Sequence, residues 1–184
     1  MPPFAPSARS FALLMALTLA VAACEPAARQ EAAPLSLSPS EVEAVQDTLR
    51  GVVDRLNQAA SAKDVDAFMT LWARTDSVVY VRSGTAFLGW DAVAENHREA
   101  FSSPGTWTFA AERTHVRVLD RDTGMATAFI RTGSTSASGE SRTGWFAITM
   151  GIERRPDGWE IVYAHGSYPE PGTSPWGEEG PPAG

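Results

Sequence analysis

Side chains able to do chemistry are few in this chain: three histidines, three tyrosines and a single cysteine among 184 residues. Two of the histidines fall where regular spacing gathers them with aromatic neighbours. In the last apolar arm, Trp159, Ile161, Tyr163, His165 and Ser167 recur at every second position, so strand alternation puts them on one face. That face turns from apolar to polar along its length, as the wall of a pocket does. A neutral imidazole there would act as a general base or donate to a ligand. The plainer alternative is a buried imidazole satisfied by backbone or serine. His97 stands four residues after Val93 and four before Phe101, on one helical face. Tyr80 adds a phenol from an early strand. The catalytic candidates are therefore His165, Tyr80 and His97. The candidate pocket lining is Trp72, Tyr80, His97, Trp159, Tyr163, His165 and Ser167. His115 lies between Arg113 and Arg117, opposite Thr114, Val116 and Val118, which places it on an outer sheet face.

Other chemistries lack their residues. The histidines show no HxH or HExxH spacing, so no metal site is expected. There is no GxSxG elbow and no glycine-rich phosphate loop after a strand, and no cofactor is expected. The formal charge is −7 with a pI near 4.9, and the arginines are scattered, which excludes a nucleic-acid binder. The aromatic residues Trp72, Tyr80, Trp107, Trp145, Trp159 and Tyr163 suit a mostly apolar pocket. They also suit the packing of a small barrel, their ordinary use.

Several elements must position these groups. Ser38-Pro39-Ser40-Glu41 is a capping box with proline at the first helical position. Val42, Val45, Leu49, Val52, Val53 and Leu56 follow as one apolar stripe, fading near Ala60 to Lys63. Asp64 caps a short second helix with Phe68, Met69, Leu71 and Trp72. Ser77 to Val81 reads as a strand, Ser83-Gly84 as a turn, and Ala86 to Leu88 as a short extended piece. Asp91 is expected to cap a third helix that ends at Ser102 to Gly105. Trp107 to Leu119 is one long strand with room for a bulge, and Met125 to Thr132 is the next. Gly133 to Glu140 (GSTSASGE) reads as a mobile loop. The final hairpin runs from Thr143 to Tyr168 around Pro156-Asp157-Gly158, where proline presets φ and glycine supplies a positive one. Helices first and antiparallel strands after predict an α+β domain over residues 38–168 with helices on one face of a curved sheet. Residues 169–184 are too rich in proline and glycine to pack; Trp176 is the odd residue there.

The N-terminal residues read as a targeting segment. Arg9 precedes an apolar run from Phe11 to Ala23, long enough for a secretory h-region and short of the roughly 20 residues of a spanning helix. The run ends Leu19-Ala20-Val21-Ala22-Ala23-Cys24, which resembles the lipobox of bacterial lipoproteins, and Cys24 is the only cysteine. The resemblance implies cleavage of residues 1–23, lipidation of Cys24 and a flexible tether over 24–37. Glu25, in place of Asp, implies the outer membrane where the source has two. Loss of Arg9 leaves 14 basic and 22 acidic residues, a net charge of −8, so the lipid and not the surface must hold the protein to an anionic membrane.

Four stretches resemble the SnoaL-like domains of the NTF2-like (nuclear transport factor 2) superfamily: Ala62-Lys63-Asp64-Val65-Asp66-Ala67-Phe68, Trp72 to Tyr80, Phe87-Leu88-Gly89-Trp90-Asp91-Ala92-Val93, and, most sharply, Gly158-Trp159-Glu160-Ile161-Val162-Tyr163-Ala164-His165-Gly166-Ser167. The resemblance spans Ser38 to Tyr168. It implies a cone-shaped barrel, three helices on a curved, mostly antiparallel sheet, and pairing of domains through the outer sheet face. It leaves function open, because such domains include isomerases, cyclases, dehydratases, epoxide hydrolases and pure binding domains. Steroid-isomerase-like relatives set a carboxylate base opposite a tyrosine, yet no position here supplies the carboxylate. Epoxide-hydrolase relatives use Asp-Arg-Asp; Arg131 has no matching aspartates. These absences weigh against catalysis. The leading expectation is an exported, lipid-anchored envelope protein whose pocket binds a small hydrophobic or amphipathic molecule or serves in assembly. The alternatives are a cofactor-independent isomerase, dehydratase or hydrolase using His165, and a protein–protein interaction module of the envelope.

Overall fold

The computed structural model describes residues 37–169 together with 173 and 175. The leader over residues 1–23, Cys24, the tether as far as residue 36, and Trp176 lie outside the described residues. No helix among the described residues is long and apolar enough to cross a membrane.

Helix α1 (Pro39–Ala62) opens on the expected capping box: the Ser38 backbone N–H donates to Glu41 Oε2 at 2.8 Å, and the Glu41 N–H donates to Ser38 Oγ at 3.3 Å. The Ser38 N–H and hydroxyl, both donating to Glu41 Oε2, hold the Glu41 carboxyl below its ordinary pKa, with Arg121 3.0 Å from Oε1 adding to the effect. The stripe Val45, Leu49, Val52, Val53 and Leu56 is buried. Asp64 caps α2 (Val65–Met69) through the Ala67 N–H at 2.9 Å. Strands β1 (Val79–Arg82) and β2 (Thr85–Leu88) form a hairpin, and α3 (Trp90–Ser102) follows. The cap of α3 departs from expectation. Gly89 at φ 83° is the N-cap, with no side-chain bond, and Asp91 sits inside the first turn. The chain must turn sharply out of β2, and glycine reaches that φ without strain.

The remaining chain is β3 (Thr106–Val118), β4 (Thr123–Thr135), β5 (Ser141–Arg155) and β6 (Gly158–Ser167). The sheet order is β2-β1-β6-β5-β4-β3, with β1 and β6 parallel and the other pairs antiparallel. The sheet is not closed. The segment expected to be a mobile loop over 133–140 begins as strand and is a turn only from 136 on. Gly133, Ser134 and Thr135 pair with Thr143, Arg142 and Ser141, leaving a turn over 136–140 pinned by the Ser136 N–H on Glu140 O and the Gly139 N–H on Ser136 O, both at 2.9 Å. Small hydroxyl residues suit an edge of the ladder as well as a loop, and composition did not separate the two.

The helices lie against one face of the sheet, and close approach is built in at Gly124. A Cβ there would stand 2.4 Å from Leu49 Cδ1, so a side chain at that position would push the Leu49 tip of α1 aside. Around it Leu49, Val52, Val53, Met150, Ile152 and Ile161 are almost wholly enclosed.

Two bulges set which side chains face inward. In β3 the register slips between Ala111 and Arg113; Trp107, Phe109 and Ala111 face in before it, and Thr114, Val116 and Val118 after it. In β6 it slips between Ile161 and Tyr163, leaving Val162 extra. A single inserted residue exchanges the two faces of everything beyond it.

Candidate functional site: an aromatic cavity under the sheet

The bulge at Val162 decides the fate of the residues the alternation had put together. Ile161 is buried, but beyond the bulge the inward positions are Ala164 and Gly166, while Tyr163, His165 and Ser167 are exposed on the outer face. Trp159 lies half-buried near the hairpin turn, where Arg154 rests 5.5 Å from its ring. None of these four lines the cavity, contrary to the expected pocket lining. His115 is exposed, on the face the sequence indicated.

The cavity, about 80 Å³, is enclosed by residues from every layer: Leu56, Asn57 and Ala60 of α1, Phe68 of α2, His97, Ala100 and Phe101 of α3, and strand residues opposite. Trp72, Tyr80 and His97 of the expected set line it. Aromatic rings form most of the wall. Phe68 lies 4.3 Å from the His97 ring, Tyr80 at 5.2 Å and Phe101 at 5.7 Å; Trp72 meets Tyr80 edge-on at 5.7 Å. Phe146 approaches from β5, over Gly166. A Cβ at Gly166 would lie 2.2 Å from Phe146 Cζ, so the bare glycine makes room for that ring. Tyr168, just past β6, packs on Phe146 at 4.7 Å and lines both the cavity and an adjoining groove of about 500 Å³ with Trp107, Phe109, Thr132 and Ser134.

His97 is 6% exposed. Its Nδ1 lies 2.8 Å from the Val93 carbonyl, which only accepts, so Nδ1 carries the proton. Burial lowers its pKa to about 4 from 6.5, against the Val93 bond and with the Arg82 charge. The ring is therefore neutral near pH 7, with Nε2 a bare acceptor. Burial raises the Tyr80 phenol to about 12, with the Arg82 guanidinium pulling the other way. Burial raises Tyr168 too. Two donors in the wall have no partner among the described residues: Asn57 Nδ2 and Trp72 Nε1, on side chains 6% and 2% exposed. Such orphans are uncommon in folded proteins and ask for an explanation.

Trp107, one of the aromatic residues suited to a pocket, lines it, whereas sequence reasoning missed Phe68, Phe101, Tyr168, Asn57 and Arg82 as wall residues. Two of these had a visible signal. Asn57 is a polar residue inside the apolar stripe of α1, one turn from Val53 and Ala60. Arg82 is two positions after Tyr80 in a strand, hence on the same face.

The family model described as a SnoaL-like domain matches residues 49–171. The chain belongs to that family. Solved structures of the NTF2-like fold agree with this SnoaL-like chain in architecture. An NTF2-like superfamily protein from Salmonella enterica serovar Typhimurium has a TM-score of 0.63 at 16% identity, over 69% of this chain and 92% of that one. A proposed dehydratase of the NTF2-like family from Streptomyces avermitilis has a TM-score of 0.63 at 18% identity, over 70% and 99%. An NTF2-like protein of unknown function from Pseudomonas putida has a TM-score of 0.60 at 22% identity, over 69% and 88%. Identities this low bear on the fold and leave chemistry to the site. A search of curated protein sequences finds no match.

Proposed function

We propose that the SnoaL-like domain is a binding module for a small amphipathic molecule, carried on a lipid-anchored protein of the bacterial envelope. The observation that carries the reading is the cavity itself: an aromatic chamber with unpartnered donors on two buried side chains, opening past Tyr168 to a wider groove. A core that merely filled space would close around apolar groups, whereas this one keeps an opening beside two unpartnered donors. Among the described residues that line the cavity there is no aspartate, glutamate, serine or cysteine, and His97 is the general base they offer.

That base supports a second reading. A neutral His97 with a bare Nε2, 5.2 Å ring to ring from the Tyr80 phenol, is a base and donor pair suited to a cofactor-independent proton transfer. His165 has no part in it. Replacing His97 with Gln separates the two readings. A binding module keeps its ligand within about tenfold, whereas a proton-transfer enzyme loses about 10²–10⁴ in rate. Turnover that survives His97→Gln unchanged would dismiss the catalytic reading.

The anchor rests on the residues around Cys24. Cys24→Ser should leave an unprocessed precursor or release the protein from membranes, and unaltered membrane retention would contradict the anchor. Pairing of two copies through the outer sheet face is supported by Tyr163 at 44% and Met125 at 39% exposure there, beside half-buried Val79 and Val81. A monomer at micromolar concentration, with the lipid removed, would refute it.

A further inference from the structure

The chemistry of the cavity wall is one-sided. Its polar groups are the Arg82 guanidinium, the Trp72 N–H, the Asn57 carboxamide and the Tyr80 and Tyr168 phenols, so that N–H and O–H donors outnumber the acceptors, which are Asn57 Oδ1, the phenol oxygens and His97 Nε2. No carboxylate lines it among the described residues. Arg82 is half-buried, its guanidinium 5.8 Å from the Phe87 ring. Seven arginine–carboxylate pairs occur among the described residues and none involves Arg82. Tyr80 stays protonated to about pH 12 and so does not serve as its counter-ion.

On the reading of the cavity as a binding site, we infer that its ligand is a small organic acid, its carboxylate drawn to Arg82 and the unpartnered Trp72 and Asn57 donors and its apolar remainder laid against the aromatic wall. A guanidinium beside apolar rings with no carboxylate partner among the described residues, and two buried N–H donors with no acceptor among them, are deficits that one anion with several lone pairs makes good. An amine would meet the guanidinium and find no carboxylate. A neutral hydrocarbon would leave the donors bare.

Volume limits the acid. A cavity of about 150 Å³ accepts benzene, and this chamber of about 80 Å³ is roughly half that. It holds the carboxylate and its neighbouring carbons. A larger body extends past Tyr168 into the groove beside Trp107, Thr132 and Ser134.

The test is calorimetric titration of the full chain at pH 7 with butyrate, benzoate and phenylacetate, each beside its primary amide. The amide has the acid's shape without its charge. The acids should bind about tenfold or more tighter than their amides, as charge-assisted hydrogen bonds require. Arg82→Met, which keeps the apolar stem, should abolish that preference. Trp72→Phe, which keeps a ring and removes one donor, should weaken acids several-fold and amides hardly at all. Equal binding of acid and amide, or a preference that persists in Arg82→Met, overturns the anion assignment and leaves the binding module standing. Failure of acids and amides alike to bind overturns both.

Discussion

Along the same strands and the same first helix, this domain has two ends of different construction. Toward the β5–β6 turn, Leu49, Val52, Val53, Met150, Ile152 and Ile161 interlock with almost no exposure. Toward the other end, Leu56, Asn57, Phe68, Trp72, Tyr80, His97 and Phe101 surround an opening and bring polar atoms with them. The two bulges, at Glu112 in β3 and Val162 in β6, fall between these regions. The closed end is a continuous apolar solid, and its stability follows from burial. The open end gives up packing and hydrogen bonds for a chamber lined by a neutral base and unpaired donors. Stability and function are thus segregated along one set of elements, as expected when a rigid scaffold positions a site.

The largest break in this comparison comes from the closed end. Ile161→Ala removes a fully enclosed side chain and should destabilise by about 2–5 kcal/mol, measured by denaturant unfolding; the acid-over-amide preference of molecules that remain folded should persist. Next is pH. His97 has a folded pKa of about 4 against 6.5 when unfolded. Above pH 6.5 the ring is neutral in both states. As pH falls from 6.5 to 4 the unfolded chain takes a proton the folded one refuses, so about 3 kcal/mol of stability is lost over that window. His97→Gln should flatten this slope, seen in melts between pH 7 and 4. A smaller effect of the opposite sign comes from filling the chamber: Ala100→Leu should stabilise by about 0.5–2 kcal/mol while blocking the ligand. The smallest is His165→Ala on the exposed outer face, within about 0.5 kcal/mol and without effect on ligand affinity.

The contrast also marks what the sequence could tell. The capping box at Ser38, the stripe of α1, the Asp64 cap and the Pro156-Asp157-Gly158 hairpin all rest on local rules, and the structure carries them. The α+β class followed from their order. His97 was legible because helical spacing from Val93 to Phe101 survives folding unchanged. His165 was misplaced because strand alternation assumes an unbroken ladder, and one extra residue at Val162 reverses it. Nothing between Ile161 and Tyr163 signals that insertion; it arises from pairing with β5, a non-local event. Asn57 and Arg82 were open to the eye, but as a flaw in a stripe and a neighbour of Tyr80 they matter only once the chamber between them is seen.

The central claim, that the open end exists to hold a small molecule, is tested most directly by native mass spectrometry of the full chain, gently purified from cells that express it. A retained small acidic mass at one per chain is expected, absent from the Ala100→Leu protein. A chain that remains empty when prepared in this way and shows no mass shift with any of the carboxylates, while folded, would contradict it and make the chamber an imperfectly packed core.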